Sequence, residues 1–400
     1  MSKTTEREAD SWLRCVYGLI VCLLLCDISG CVATDWLRGK VIDGIDFEGT
    51  NAVDVAVVES NAVVPEIVAP ATGEESIAPI GGDRSSVAIG PDGKVVVVWD
   101  KGTGNTIWTA TRDGMGWQWR EFAKGEKGGT YDAGRLFLPC VGIDSLGRLW
   151  VSAKLGVKEW GSMGGQGLWC PNRFILVHIK GGGDAKDRGN GNVCVVDDAG
   201  TFIGSDGNYE RYAVDGTRID KGQWKIGSSG EKIRAVAENG IYHLAINGCR
   251  GQQATYMNST MTKPVTWADY ATYPEMGGDT VHPSICVDGD VAYIASQYAK
   301  GIFLNVWDGK RMLYSPTNLL LVAAGGYTGA ERLGPSMCKA RDGGVWIAYC
   351  KGKRIKLRRI RPDGTMGDVR DICAGRCPVL AAGGHMVYES NGMKYRRVVE

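Results

Sequence analysis

One histidine, one arginine and two tyrosines supply the residue types for a single reaction. His282 directly precedes a Pro-Ser-apolar segment, and Arg84 precedes a segment of similar pattern. Removal of the proton beside a uronate carboxylate needs a base, a cation that neutralises the carboxylate, and often a tyrosine as acid. His282, Arg84 and either Tyr298 or Tyr209 fit those roles in a polysaccharide lyase. The alternative roles are structural: a hydrogen bond from His282 to a neighbouring unit, an ion pair of Arg84, and rim positions for both tyrosines.

An internal repeat positions these residues. Each copy has a Pro-Ser-like start, a short apolar strand, an Asp/Gly turn and a second apolar strand that ends in an aromatic residue. Clear copies begin at positions 85, 139, 283 and 335, and weaker ones at 191, 234 and 378. This spacing suits one four-stranded blade per repeat. The sequence therefore predicts an all-β fold, a seven-bladed β-propeller of antiparallel blades over residues 66–400, with six or eight blades as alternatives.

The last repeat is short. After Pro378 the chain has room for only three strands before its final residue. An unclosed ring would leave a sheet edge exposed. We therefore expect a segment between residues 65 and 80 to supply the outer strand of the last blade.

The N-terminus reads as a targeting segment. Three basic residues precede an apolar run over 16–26, which is too short to span a bilayer comfortably and suits a signal peptide. The tetrapeptide Ile28-Ser29-Gly30-Cys31 resembles a bacterial lipobox. That resemblance implies a signal peptide over 1–31, lipidation of Cys31 and a membrane anchor, with an uncleaved anchor or an ordinary signal peptide as alternatives. Residues 32–65 are polar and small, which predicts a flexible tether, with a short strand over 53–64 as the alternative.

The lipobox resemblance also implies a location. Valine rather than aspartate follows Cys31. In the rule for Gram-negative lipoproteins this favours the outer membrane. We expect a protein of the bacterial cell envelope, facing either the periplasm or the outside.

From about residue 80 onwards the chain resembles the BNR/sialidase-like propeller superfamily. The blade opening Pro283-Ser284-Ile285 with Asp288 is typical of that family, and residues 111–119 echo its Asp-box, with the glycine and tryptophan each displaced by one position. The resemblance implies a propeller that recognises or cleaves carbohydrate. A sialidase would need an arginine triad, for which Arg84, Arg250 and Arg376 are the candidates. No pattern places these three together, and the Arg-Ile-Pro type segment of sialidases is absent.

Strand starts and loops between second and third strands should ring the central mouth of a propeller. Arginine grips carboxylates in bidentate fashion, and exposed tryptophan can stack on sugar rings. The candidate substrate-binding residues are Arg376, Arg250, Trp160, Tyr209 and Lys101. Trp160 has an alternative structural role, in which it packs its Gly-rich loop onto its own blade.

Composition excludes some functions. The net charge of +1 provides no field for nucleic acid. Four scattered histidines without short Cys/His spacing predict no zinc or iron site and no cofactor, and they leave an oxygen-liganded calcium site open. Three cysteines at equivalent repeat positions (Cys194, Cys286 and Cys338) are expected on inner strands as small buried residues, while Cys373 and Cys377 are close enough in sequence to pair.

The function hypothesis combines these features. We expect a monomeric, envelope-anchored propeller that binds an acidic polysaccharide or glycan at its central mouth. Whether it also cleaves the ligand, as a lyase or as a glycoside hydrolase, is left open by the sequence. The alternative is a non-catalytic scaffold that binds a protein partner at the cell envelope.

Overall fold

The computed structural model contains a ring of β-sheets. It describes residues 73–82, 84–101, 106–125, 136–155, 165–177, 192–204, 207–226, 232–247, 254–268, 283–298, 301–316, 318–324 and 334–398. The signal peptide and tether predicted for residues 1–65 lie outside these ranges. No helix in the described ranges has the length and apolar character needed to cross a membrane.

The described residues form 28 strands. In chain order they are β1 Glu75–Ala78, β2 Arg84–Ile89, β3 Val95–Asp100, β4 Thr106–Asp113, β5 Gly116–Lys124, β6 Leu136–Ile143, β7 Leu149–Leu155, β8 Gly165–Cys170, β9 Arg173–Val177, β10 Asn192–Val196, β11 Ala199–Ile203, β12 Asn208–Tyr212, β13 Arg218–Gln223, β14 Lys232–Glu238, β15 Ile241–Asn247, β16 Ala254–Asn258, β17 Val265–Ala268, β18 Ser284–Asp288, β19 Val291–Tyr298, β20 Gly301–Trp307, β21 Leu320–Ala324, β22 Ser336–Lys339, β23 Val345–Lys351, β24 Arg354–Ile360, β25 Arg370–Ala374, β26 Arg376–Ala381, β27 His385–Glu389 and β28 Met393–Arg397. A 3-10 turn, Ala382–Gly384, joins β26 to β27.

These strands form seven four-stranded antiparallel sheets. Blades 1 to 6 each use four consecutive strands, starting with β2–β5 and ending with β22–β25. The first strand of each blade contacts the first strand of the next, and β26 of blade 7 contacts β2 of blade 1. The seven first strands therefore line a closed ring, and the predicted seven-bladed propeller is confirmed.

The N-terminal strand closes the ring. In blade 7 the order is β26-β27-β28-β1, and β1 pairs antiparallel with β28, with Glu75 opposite Tyr395. Glu75 also reaches blade 1, where its carboxylate accepts hydrogen bonds from Arg112 Nε and Nη2, both at 2.9 Å, and from Trp117 Nε1 at 2.8 Å. The predicted closure is confirmed, and Glu75 holds the closing strand against the first blade.

A separate hydrophobic core fills each of the seven seams between blades. Because side chains alternate along a strand, one strand can serve two seams. Every residue of β3 is buried. Val96 and Val98 pack in the seam to blade 2, while Val97 and Trp99 pack in the seam to blade 7. This two-sided burial explains why β3 reads as a continuous apolar run rather than as an alternating one.

The two faces of the ring differ. We call the face that carries the first-to-second and third-to-fourth strand turns the turn face, and the opposite one the loop face. On the turn face, Asp215 and Asp363 each accept a hydrogen bond from the backbone N–H two residues later, at 2.9 Å. Asp113, in the segment 111–119 that resembles an Asp-box, accepts one from Met115 N at 2.9 Å. This aspartate-turn chemistry recurs in the third-to-fourth strand hairpins and fixes their tight turns.

The cysteine predictions have different outcomes. Cys194, Cys286 and Cys338 lie on the first strands β10, β18 and β22 and are buried, as predicted. Burial raises the pKa of Cys338 to about 11, so this thiol stays protonated. The suggested pairing of Cys373 with Cys377 is not formed, because Cys373 is a free thiol.

Candidate functional site

The candidate site residues from the sequence are spread around the ring. His282, Arg250, Trp160 and Cys31 lie outside the described residues. Arg84 is the first residue of β2, opposite Asp100 of β3, and Tyr298 is the last residue of β19, opposite Gly301. Both positions are strand ends on the loop face, as expected. Their proposed catalytic roles stay predictions.

Three further candidates lie in three different blades. Arg376 of blade 7 is half-exposed and donates from Nε to Glu389 Oε2 at 2.6 Å, across the β26–β27 pair. Tyr209 of blade 3 stacks on Trp224 with ring centroids 4.2 Å apart, and burial raises its pKa. Lys101 of blade 1 is exposed directly after β3. The described structure does not bring these three side chains together.

The first turns of the blades form a cross-linked collar on the turn face. Asp198 accepts hydrogen bonds from Ser145 N at 2.8 Å and from Ser145 Oγ at 2.9 Å, which joins blade 3 to blade 2. Glu238 accepts one from Gly289 N at 3.1 Å, which joins blade 4 to blade 5. Lys339 of blade 6 reaches Asp288 at 2.6 Å and Glu238 at 3.4 Å. Carboxylates thus connect several consecutive blades around the channel mouth.

Blade 7 departs from this pattern. Its first turn is Ala382-Gly383-Gly384, which carries no carboxylate, and a pocket of about 400 Å³ opens beside it. The pocket is lined by the turn itself and by Lys339, Ala340, Arg341 and Arg397. We call it the turn-face pocket. It lies between blades 6 and 7.

The pocket is positively charged. Arg341 is exposed and forms no ion pair within the part of the chain that the structure describes. Arg397 donates from Nε to the Gly383 carbonyl at 3.0 Å, which orients its guanidinium. The hydrogen bond to Asp288 raises the pKa of Lys339, so this ammonium stays charged. Because Asp288 and Glu238 offset the charge of the Lys339 ammonium, the guanidinium groups of Arg341 and Arg397 supply the positive charge that suits an anion.

The glycines keep the pocket open. Gly383 has φ of +74°, a conformation that favours residues without Cβ. A Cβ at this position would lie 3.4 Å from His385 Nε2 and 3.9 Å from Arg397 Nη2. A side chain there would press on the His385 ring, and its contact with the Arg397 guanidinium would be an ordinary one. The sequence signal for the pocket was the Ala-Gly-Gly turn at a repeat position where other blades carry Asp or Glu.

Metal binding is not supported by the described residues. Among them no group of three or more His, Cys, Asp or Glu side chains has the arrangement of a metal site. The buried histidine His243 instead shares a hydrogen bond of 2.8 Å with the Tyr256 hydroxyl.

His385, next to the pocket wall, makes stability depend on pH. Its Nδ1 lies 2.8 Å from the Tyr395 hydroxyl, and burial, with the nearby Arg397 and Arg112, lowers its pKa from 6.5 to about 4. The unfolded chain therefore binds a proton at pH values where the folded chain does not. Between pH 6.5 and 4, falling pH should cost the wild type roughly 2 kcal/mol of unfolding free energy through this residue.

The measurement is urea unfolding of the wild type and of His385→Gln at pH 7.5 and 4.5. We expect the wild type to lose more stability than the variant on acidification, because the variant lacks the titrating imidazole. His243→Gln serves as a second comparison, since burial also lowers the pKa of His243. Equal losses for the wild type and His385→Gln would contradict the prediction.

Comparisons with known proteins give similarity at the level of fold. No protein-family model matches the chain, and no curated protein matches it. YCF48 from Cyanidioschyzon merolae is similar at 12% identity and a TM-score of 0.49, covering 81% of this chain and 98% of that one. The β-propeller domain of the Trilobed protease from Pyrococcus furiosus has 10% identity and a TM-score of 0.42, covering 76% and 89%. The Aleuria aurantia lectin AAL has 10% identity and a TM-score of 0.40, covering 73% and 95%.

Proposed function

We propose that this chain is a glycan-binding propeller whose ligand is an acidic, carboxylated or sulfated polysaccharide held at the turn-face pocket. The observation that carries the proposal is a cavity of about 400 Å³ whose lining includes Arg341 and Arg397, together with Lys339, which is already paired with Asp288 and Glu238. The sequence led us to expect this ligand at the central mouth on the loop face. The cations of the described structure instead support a site on the turn face.

The size and charge of the pocket suit one acidic sugar unit. Ligand sites commonly have volumes of about 300–1,000 Å³, and a few polar groups fix the orientation of the ligand. A guanidinium group can donate two parallel hydrogen bonds to a carboxylate or sulfate, and such charge-assisted bonds are stronger than neutral ones. Arg341 can act in this way without first breaking an ion pair to a described residue. A neutral sugar has no anionic group to accept such charge-assisted hydrogen bonds. The pocket should therefore bind an acidic sugar more tightly than a neutral one.

The test is a binding assay of the full chain with oligosaccharides of polygalacturonate, a sulfated oligosaccharide, and a neutral one of equal length. We expect Arg341→Ala to weaken binding of the acidic ligands at least about tenfold, or about 1.4 kcal/mol. Arg341→Lys should keep part of the affinity, since it keeps the charge and loses the planar fork. Raising the salt concentration should weaken wild-type binding, because the pocket is open to solvent.

A matched control is Arg311→Ala. Arg311 lies outside the pocket lining, its side chain is 81% exposed and lies 3.8 Å from Asp308, and its loss changes the formal charge of the chain by the same amount. Binding that falls equally in both variants would show a general charge effect rather than a site. Binding that Arg341→Ala leaves unchanged would overturn the turn-face proposal. Ultraviolet absorbance of unsaturated products in the same samples would reveal lyase activity.

Anchoring through Cys31 belongs to the same proposal. A lipid on this cysteine would hold the propeller at the bacterial envelope, where polysaccharides are present. Incorporation of a fatty-acid label in the wild type, and its loss in Cys31→Ser, is the expected result. A label that persists in Cys31→Ser would rule out lipidation of that residue.

A further inference from the structure

Two tryptophans share one side of the outer hairpin of blade 1. In the β4–β5 pair, Trp119 lies opposite Ala110, and Trp108 lies opposite Glu121. Residues opposite each other in an antiparallel pair project to the same side of the sheet. The ring centroids of Trp108 and Trp119 are 5.7 Å apart, with planes inclined at 58°. Trp119 is 40% exposed, which leaves a large aromatic surface in contact with solvent.

The hairpin holds these rings in place before any ligand arrives. Trp108 packs against the seam core between blades 7 and 1, which includes Trp99 and Ala110. Two residues before Trp119, Trp117 is fixed by its hydrogen bond to Glu75 of the closing strand. A surface that is already ordered loses little conformational entropy on binding.

Glu121 gives the surface a polar group suited to hydroxyls. It is exposed, and no ion pair to it occurs within the described ranges of the chain. A carboxylate can accept hydrogen bonds from two hydroxyl groups at once. The C–H bonds on one face of a pyranose carry partial positive charge and meet the negative face of an indole ring. An aromatic ring beside an acceptor therefore suits an amphipathic sugar ring.

We propose that Trp108, Trp119 and Glu121 form a binding subsite for a neutral pyranose of a polysaccharide. The subsite is independent of the turn-face pocket, because it uses other residues and selects a neutral ring rather than an anionic one. A uronate or sulfated ring would be repelled by the Glu121 carboxylate.

The competing occupant is a strand of a second copy added along β5. Exposed charges on outer strands discourage such pairing. β5 carries two adjacent exposed charges, Arg120 and Glu121, and the register of its pairing with β4 shifts between Ile107 and Trp108. These features favour a sugar over a strand at this surface.

The test titrates the full chain with cellohexaose, maltohexaose and mannohexaose, and follows tryptophan fluorescence and calorimetric heat. At least one of these neutral probes should bind the wild type. Trp119→Ala should weaken that binding at least about tenfold, the loss expected from removing a stacked ring, while Trp119→Phe should weaken it less. Glu121→Ala should weaken it as well. Met115→Ala, on the same hairpin with 92% exposure, should leave it unchanged.

Three results would overturn the subsite. The first is no binding of any neutral probe at millimolar concentration. The second is equal binding by the wild type and by Trp119→Ala, when both show the same thermal unfolding. The third is a concentration-dependent dimer in sedimentation that Trp119→Ala abolishes, which would show an interface between copies. Arg341→Ala should leave neutral-probe binding intact, so failure of the turn-face pocket and failure of this subsite are distinguishable.

Discussion

Gly200→Ala is expected to lower the free energy of unfolding by about 3 kcal/mol, the upper end of the usual cost of overpacking a core. Gly200 lies on β11 and faces Trp150 of the neighbouring blade, in the seam between blades 2 and 3. An added Cβ would lie 2.2 Å from Trp150 Cε3. Trp150 is fully buried, and its Nε1 lies 3.3 Å from Asp144 Oδ2, so the indole ring has little room to move.

Urea unfolding measures this loss, and a double-mutant cycle assigns it to the contact. Trp150→Phe replaces the bicyclic indole with a single ring and leaves space for the methyl group. The double variant Gly200→Ala with Trp150→Phe should therefore be more stable than the sum of the two single effects predicts. Gly73→Ala is the control, because nothing lies within 4 Å of the Cβ position there. Additive effects in the cycle would show that the two residues do not meet as described.

Glu75→Ala is expected to cost about 2–3 kcal/mol and to release the closing strand. Glu75 is the acceptor for both Arg112 and Trp117, and it lies on a strand of only four residues. The side chains of Arg112 and Glu75 are 18% and 23% exposed, so water replaces the lost bonds only in part. The variant would leave a guanidinium and an indole N–H with no acceptor in the seam.

Two readouts distinguish strand release from general weakening. Urea unfolding gives the stability loss, and limited proteolysis reports cleavage near residues 73–82. We expect proteolysis of Glu75→Ala at concentrations of urea where the rest of the ring stays protected. Ser76→Ala is the control, since Ser76 is an exposed neighbour on the same strand. If Glu75→Ala behaved like Ser76→Ala in both assays, the carboxylate would not hold the strand.

The architecture could be predicted because each blade needs the same features at the same repeat positions: apolar strands that are buried and a tight turn between them. Each predicted repeat start lies within three residues of the first residue of a blade-opening strand, including the weak copies at 191, 234 and 378. These strands line the ring, and each carries buried or partly buried apolar residues and leads into a tight turn, in most blades of Asp/Gly type. The closing strand could be predicted too, because the last repeat lacks the residues for a fourth strand.

The site was harder to predict because it depends on partners that the repeat does not encode. The sequence predicts Arg376 to be a cation at the mouth that is available to a ligand. In the structure it forms an ion pair with Glu389, which lies thirteen residues later on the paired strand. The turn-face pocket joins Arg341 of blade 6 to Arg397 near the end of the chain. Only the packing of blade 7 against blade 6 shows that Arg341 and Arg397 lie beside the same pocket. The absence of a carboxylate from a single turn was its sole trace in the sequence.

The pairing of β1 with β28 also imposes a schedule on synthesis. Ala78 meets Met393, which the ribosome adds roughly 315 residues later. At about 5–20 residues per second, the first strand waits about 16–60 s for its partner. Blades 1 to 6 can form in turn during that interval, while Glu75, Ile77 and Ala78 have no finished sheet to join. A chain released early would carry six complete blades and a loose leading strand, and would therefore be open to proteases and to pairing with another unfinished chain.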